Sequence, residues 1–194
     1  MIIDDAELVA AAQQGSHEAF EELVRRTYAE TFTLARRLMS NDEDARDVTQ
    51  EVYLRAWRGI GNFRGDAQFT TWLYRITANC ANTHLKRRRR NRAEPLDEFR
   101  DPVEIRQESQ PAAALDAADL LERVSVAIEE LPEKLRQVVV LRDVYGLGHE
   151  AIAEELGISV TAAKVRLHRA RRKLHDVIYG PTESGTEEGN AHAV

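Results

Sequence analysis

The chain has 194 residues, 43% hydrophobic and 31% charged, a composition ordinary for one globular domain or two small ones. It has no run of about 18 apolar residues, its acidic start lacks the basic flank of a signal peptide, and its single cysteine, Cys80, excludes an internal disulfide or a cysteine zinc cluster. A cytoplasmic protein without membrane insertion is expected, and the net charge of −6, from 27 Lys+Arg against 33 Asp+Glu, at first weighs against nucleic acid.

Glycine and proline are few and strand-like alternation is scarce, so an all-α fold is expected. Asp4 or Asp5 can cap a first helix that ends at Gly15, and Ser16 can cap the next. Phe20, Leu23, Val24, Leu34, Ala35 and Leu38 then fall on a helical period. After a break at Ser40, Asn41 or Asp42 opens a third helix, with Ala45, Val48, Val52 and Ala56 on one face and Gly59 and Gly61 at its end. Asp66 can cap a fourth, with Phe69, Leu73, Ile76 and Cys80 as its buried stripe. Residues 1–92 therefore read as one small helical domain.

Residues 93–118 hold Pro95, Pro102 and Pro111, seven acids and only two arginines, and they read as an acidic flexible linker. A second small helical domain follows over residues 119–179. Its first helix, Asp119–Leu131, is amphipathic through Leu120, Leu121, Val124 and Ile128, and Pro132 suits the first position of the next. Leu135, Val138, Val139 and Leu141 continue that helix as far as Gly146. Residues 149–156 form a short helix closed by Gly157. Ser159 caps the last, whose Ala163, Leu167, Ala170 and Leu174 recur at spacings of 4, 3 and 4. The tail, residues 180–194, has no apolar period and reads as disordered.

The charge is segregated. KRRRRNR (86–92) and KVRLHRARRK (164–173) contain no acid and hold 12 of the 27 basic residues, each at the end or along the length of a predicted helix. A local field, rather than the total, decides what a surface attracts, because screening confines it to about 8–10 Å.

In the second domain, a short helix, a glycine turn and a basic helix make a helix-turn-helix. Gly157 supplies the left-handed turn and Ala153 is small where the helices cross. Thr161, Lys164, Val165, His168, Arg171 and Arg172 point outward. The first of these suit base edges in a major groove, and the arginines further along suit phosphates.

In the first domain, the third helix carries Asp44, Asp47, Gln50, Glu51, Leu54 and Arg55 off its core stripe, a pattern that suits a protein-docking face. On the fourth, Trp72, Arg75, Asn79, Asn82, Lys86 and Arg89 recur at helical spacing. Aromatic, amide and cationic side chains on one face suit unstacked bases and their phosphates. The preceding loop, NFRGDAQF (62–69), can accept a flipped base, although Phe63, Phe69 and Trp72 also fit a core role.

Enzyme signatures are incomplete. His149-Glu150 begins a zinc-protease motif but Ala153 replaces the second ligand. GIGNFRG (59–65) has the wrong glycine spacing for a dinucleotide loop, and His168 and His175 have no completing ligand. No cofactor is expected.

DARDVTQEVYLRAWRGIGNFRGDAQFTTWLYRITANCANTHLKRRRR resembles region two of bacterial sigma factors, and IEELPEKLRQVVVLRDVYGLGHEAIAEELGISVTAAKVRLHRARRKL resembles their region four. Together they resemble the extracytoplasmic-function (group four) branch of the sigma-70 family, which implies a transcription initiation factor. By that resemblance, Asp47, Gln50, Glu51, Leu54 and Arg55 would grip the beta-prime coiled coil of core RNA polymerase, with the beta subunit as a further partner. Asn62, Phe63, Arg64, Asp66, Trp72, Arg75, Asn79, Asn82, Lys86 and Arg89 would melt and read the minus-ten element of promoter DNA as single strand. The helix from Ser159, with Thr161, Lys164, Val165, Arg166, His168, Arg169, Arg171 and Arg172, would read the minus-thirty-five element. The acidic linker would thread the RNA exit path, and an anti-sigma factor would clamp the two domains. One departure stands out. The recognition helix opens Thr161-Ala162-Ala163-Lys164-Val165-Arg166, and only Lys164 and Arg166 follow the family pattern, so the family's usual minus-thirty-five motif is not carried over. A stand-alone helix-turn-helix regulator, or an interaction protein whose acidic faces titrate a partner, remain open alternatives.

Overall fold

Side-chain caps at Ser16, Asn41 and Ser159 start three of the helices in the computed structural model, which describes residues 4–91 and 117–180. The predicted linker, apart from its last two residues, and the predicted tail beyond Gly180 lie outside the described residues. Helix α1 (Asp5–Gln13) stops before Gly15, whose φ of +94° few side chains adopt. The Ser16 hydroxyl accepts from the Ala19 N–H at 3.2 Å and starts α2 (His17–Met39). Ser40 ends α2 at a left-handed φ of 61°, and one residue later the Asn41 side chain accepts from the Asp44 N–H at 2.8 Å to open α3 (Asp42–Gly59). A 3-10 turn, Ile60–Asn62, leads into the loop before α4 (Phe69–Asn91).

Asp66 does not cap α4. It pairs with Arg64 at 3.1 Å in the loop, and the Gln68 carbonyl accepts the Trp72 N–H at 3.2 Å instead. Gly65, at φ +77°, turns the chain away, and burial of Phe69 fixes where the helix begins.

Leu23, Leu34 and Leu38 of α2, Val48 and Val52 of α3, and Leu73 and Leu85 of α4 are fully buried between these helices. The Tyr53 hydroxyl sits in that interior between Thr27 at 2.9 Å and Thr31 at 3.1 Å, which answers its need for partners there.

The second half contains α5 (Ala117–Glu130), α6 (Glu133–Val139), a π-helical turn (Val140–Val144), α7 (His149–Leu156) and α8 (Val160–Tyr179). Pro132 caps α6 rather than occupying its first turn: its ψ of 136° is extended, and its carbonyl accepts from Leu135 and Arg136. Leu121, expected on the buried stripe of α5, is 69% exposed, because α5 packs on α8 and turns Ala127 and Ile128 inward instead. Arg136 is only 6% exposed and donates to the Glu129 carbonyl at 2.7 Å, so a cation closes the C-terminal end of α5; burial lowers its pKa. The expected stripe of α8 holds, with Ala163, Leu167 and Ala170 buried.

No strand occurs among the described residues, and no described helix is long and apolar enough to cross a membrane. The two halves share one apolar cluster, continuous from α1–α4 into α5–α8, with α7 laid along α4 and α6 against α2.

Cys80 lies in this interior, 3% exposed, and burial pushes its thiol up to about 11, with Glu51 and Glu155 adding to the effect against Arg55. The thiolate is the reactive form, so at pH 8 only about one thiol in a thousand is ionised. Iodoacetamide at pH 8 should modify the native protein at least about a hundredfold more slowly than the denatured chain; similar rates would contradict this burial.

Candidate nucleic-acid interface

The α7–turn–α8 unit is built as a helix-turn-helix. Gly157 takes φ +65°, the Ile158 N–H returns to the Ala153 carbonyl at 2.9 Å, and the Ser159 hydroxyl accepts from Ala162 N–H at 3.1 Å. With one stripe of α8 buried, Ser159, Thr161, Lys164, Val165, His168, Arg169, Arg171 and Arg172 are exposed on one continuous outer surface, and Arg166 is half-buried at its edge. Arg171 is already engaged. Its Nε and Nη2 donate to both oxygens of Asp143 on the π turn, at 2.9 and 2.5 Å, which holds its charge in an intramolecular pair.

The predicted stripe of α4 does lie on one face, and every member of it touches another part of the chain. Trp72 closes an aromatic trio with Phe63 at 5.2 Å and Phe69 at 5.7 Å, half-buried against Gly59. Arg75 pairs with Glu154 at 2.5 Å and Glu155 at 2.9 Å. Asn79 accepts from Arg55 at 3.0 Å, and Asn82 donates to the Glu155 carbonyl at 3.1 Å. The Lys86 Nζ lies beside Gly157, 3.5 Å from where a Cβ would stand, and Arg89 pairs with Glu133.

The loop ahead of α4 exposes Asn62, Arg64 and Asp66 and half-buries Phe63. Between it and α1 is a cavity of about 540 Å³, lined in part by Asp4, Asp5, Phe63, Arg64 and Gln68. The Gln13 amide donates to the carbonyls of Ile60 at 3.0 Å and Phe63 at 2.7 Å, so α1 fixes the near wall of this cavity. Gln13 escapes sequence reasoning because its partners lie 47 and 50 residues away and an amide near a helix end is unremarkable in itself.

On α3, Asp47, Gln50 and Leu54 are exposed, Leu54 at 46%, while Glu51 and Arg55 pair with each other at 2.7 Å. Asp44, expected on this face, turns instead to α4, where His84 at 2.9 Å and Arg88 at 2.8 Å meet it. Partial burial pushes its pKa up, but hydrogen bonds from Asn41 and His84, the His84 charge and Arg88 outweigh that and hold the carboxyl below the usual range.

The family description "Sigma-70 region 2" matches residues 16–91, and "Sigma-70, region 4" matches residues 121–174. The RNA polymerase sigma-H factor of Pseudomonas aeruginosa is 35% identical over 176 residues, covering 88% of this chain and 91% of that protein. The ECF RNA polymerase sigma-E factor of Escherichia coli (strain K12) is 33% identical over 182 residues, covering 91% and 95%. The chain belongs to the sigma-70 family, in its extracytoplasmic-function branch. This sigma factor is a transcription initiation factor that directs RNA polymerase to promoters.

Among solved structures, the sigma factor is similar to CnrH in complex with the cytosolic domain of CnrY (TM-score 0.54, 30% identity, 88% of this chain and 94% of that one). It shares the fold of the sigma factor RpoE from Bartonella quintana, solved with the anti-sigma factor NepR (TM-score 0.57, 23% identity, 81% and 95%).

Removing the Gln13 tether should loosen one wall of the cavity without touching the helical core. In Gln13→Leu, amide exchange over residues 60–68 should quicken about tenfold while the buried α2–α4 amides keep their protection. Unchanged exchange in the loop would show that α1 does not hold it.

Proposed function

We propose that this sigma factor docks on core polymerase through the exposed side of α3, reads single-stranded minus-ten DNA with α4 and the loop before it, and reads duplex minus-thirty-five DNA with α8. The observation that carries the reading is the separation of faces on one small helical body. Leu54 stands exposed among Asp47, Gln50 and the Glu51–Arg55 pair, while the cationic and amide stripe from Arg75 to Arg89 runs along a different helix. An apolar residue ringed by charge suits a protein partner such as the beta-prime coiled coil, with beta reached elsewhere. The α4 stripe suits a nucleic-acid strand, and the exposed basic surface of α8 suits a groove and its phosphates.

In this reading residues 1–92 form the region-two domain, 93–118 the acidic linker, 119–179 the region-four domain and 180–194 the tail. The linker's acids stand in for RNA in a basic exit path. The protein acts in the cytoplasm and performs no catalysis of its own: it supplies binding energy for promoter recognition and strand opening, and the polymerase does the chemistry. The complexes of CnrH with CnrY and of RpoE with NepR support an anti-sigma factor as a regulator of this chain as well.

The pair of charge reversals Asp47→Lys and Glu51→Lys should weaken binding to core polymerase by more than about tenfold, measured by anisotropy with the labelled full chain. Undiminished binding would favour a regulator that works without polymerase. With polymerase-binding intact, Lys164→Ala plus Arg166→Ala should cut promoter-dependent initiation by about tenfold and flatten its salt dependence. Full initiation by that variant would remove α8 from promoter recognition.

A further inference from the structure

Asp143 stands exposed on the π-helical turn between α6 and α7, and it holds one of the cations of α8. Its two oxygens accept from Nε and Nη2 of Arg171 at 2.9 and 2.5 Å. Lys164, Arg169 and Arg172 share that outer surface and meet no carboxylate among the described residues. Lys164, His168 and Arg171 follow one another at spacings of 4 and 3, so they form one stripe. Arg171 lies about 10 Å along the helix from Lys164, where a helix in a groove passes a phosphate rather than a base edge.

The turn is what delivers the carboxylate. Val139, Val140 and Leu141 are buried, and the Tyr145 N–H reaches back five residues to the Val140 carbonyl at 3.2 Å, one residue more than an α-helix spans. The widened turn is pinned beyond Asp143, where Arg142 donates to the Leu147 carbonyl at 2.9 Å and Gly146 takes φ +71°. With α6 packed on α8, this backbone sets Asp143 against the Arg171 side chain.

The pair does little for stability, since the Arg171 and Asp143 side chains are 57% and 33% exposed. Its consequence for binding is larger. The Nε–Nη2 edge of a guanidinium is one that clasps a phosphate in a bidentate pair, and here a carboxylate already has it. A strand approaching Arg171 meets a neutral pair and not a cation.

We propose that Asp143 withholds Arg171 from DNA phosphates, which lowers the sequence-blind hold of α8 on duplex DNA and leaves the residues nearer the start of the helix to read bases. The proposal rests on the assignment of α8 to duplex DNA made above. Phosphate contacts raise affinity for every duplex alike. A protein that must find few sites among many competing ones gains discrimination by giving up one such contact.

The test uses the full chain and a fluorescein-labelled random-sequence duplex of about 20 base pairs, read by anisotropy from about 50 to 200 mM salt. Asp143→Asn keeps the side-chain shape and removes the charge. It should tighten binding about fivefold and steepen the slope of log affinity against log salt by about 0.9, the mark of one more phosphate contact. In an Arg171→Gln background the same change should gain no more than about twofold, the share owed to the field of the carboxylate alone. Both positions are exposed, so the packing of α6 on α8 is left in place. No gain from Asp143→Asn, or an equal gain in the two backgrounds, overturns the proposal. Lys164→Gln plus Arg172→Gln in the same assay separates that failure from failure of the underlying reading, and should weaken binding more than about tenfold. Undiminished binding by that variant would take α8 away from duplex DNA altogether, whereas weakened binding with no gain from Asp143→Asn would remove the role of Asp143 alone.

Discussion

Arg75 is gripped by carboxylates 79 and 80 residues away, and that grip decides what α4 can do. A helix in a small domain ordinarily buries one stripe and gives the other to solvent. Here α4 buries Phe69, Leu73, Thr77 and Leu85 against α2 and α3, and its polar stripe is taken up by α7 and α6. The helix has no broad free face. The same cations that suit a nucleic-acid strand hold the two halves of the chain together.

The net charge of −6 hides local pairing of acid with base. Several acids face bases within the chain: Asp44 on His84 and Arg88, Glu133 on Arg89, Glu154 and Glu155 on Arg75, Asp143 on Arg171. Most of these pairs are partly solvated and individually weak. Arg136 plays a different part. Buried and bonded to a helix-end carbonyl, it fastens α5 to α6 and belongs to the architecture.

The caps at Ser16, Asn41 and Ser159 were legible in the sequence because each hydrogen bond closes within three residues. The buried stripes of α2, α3 and α8 were legible for a related reason: a 3.6-residue period registers burial whatever the helix packs against. Asp66 misled because an acidic residue before an apolar run looks like a cap, while the left-handed Gly65 and the buried Phe69 place the start of α4 further on. Leu121 misled because periodicity marks an apolar face but not how much of it a partner will cover. The aromatic trio around Trp72, the Gln13 tether and the capture of Arg75 were beyond reach, since each joins segments whose proximity only the fold creates. The family resemblance named α4 and α8 as DNA-facing but gave no hint that the second half of the chain would cover one and leave the other open.

The most direct measurement of that arrangement is the distance between the two halves in solution. Spin labels at Glu18→Cys on α2 and Glu122→Cys on α5 sit at exposed positions, and the buried Cys80 stays unlabelled. Pulsed dipolar spectroscopy on the free chain should give one narrow, short distance, as the shared apolar cluster requires. A broad or long distribution in the free protein would contradict the account.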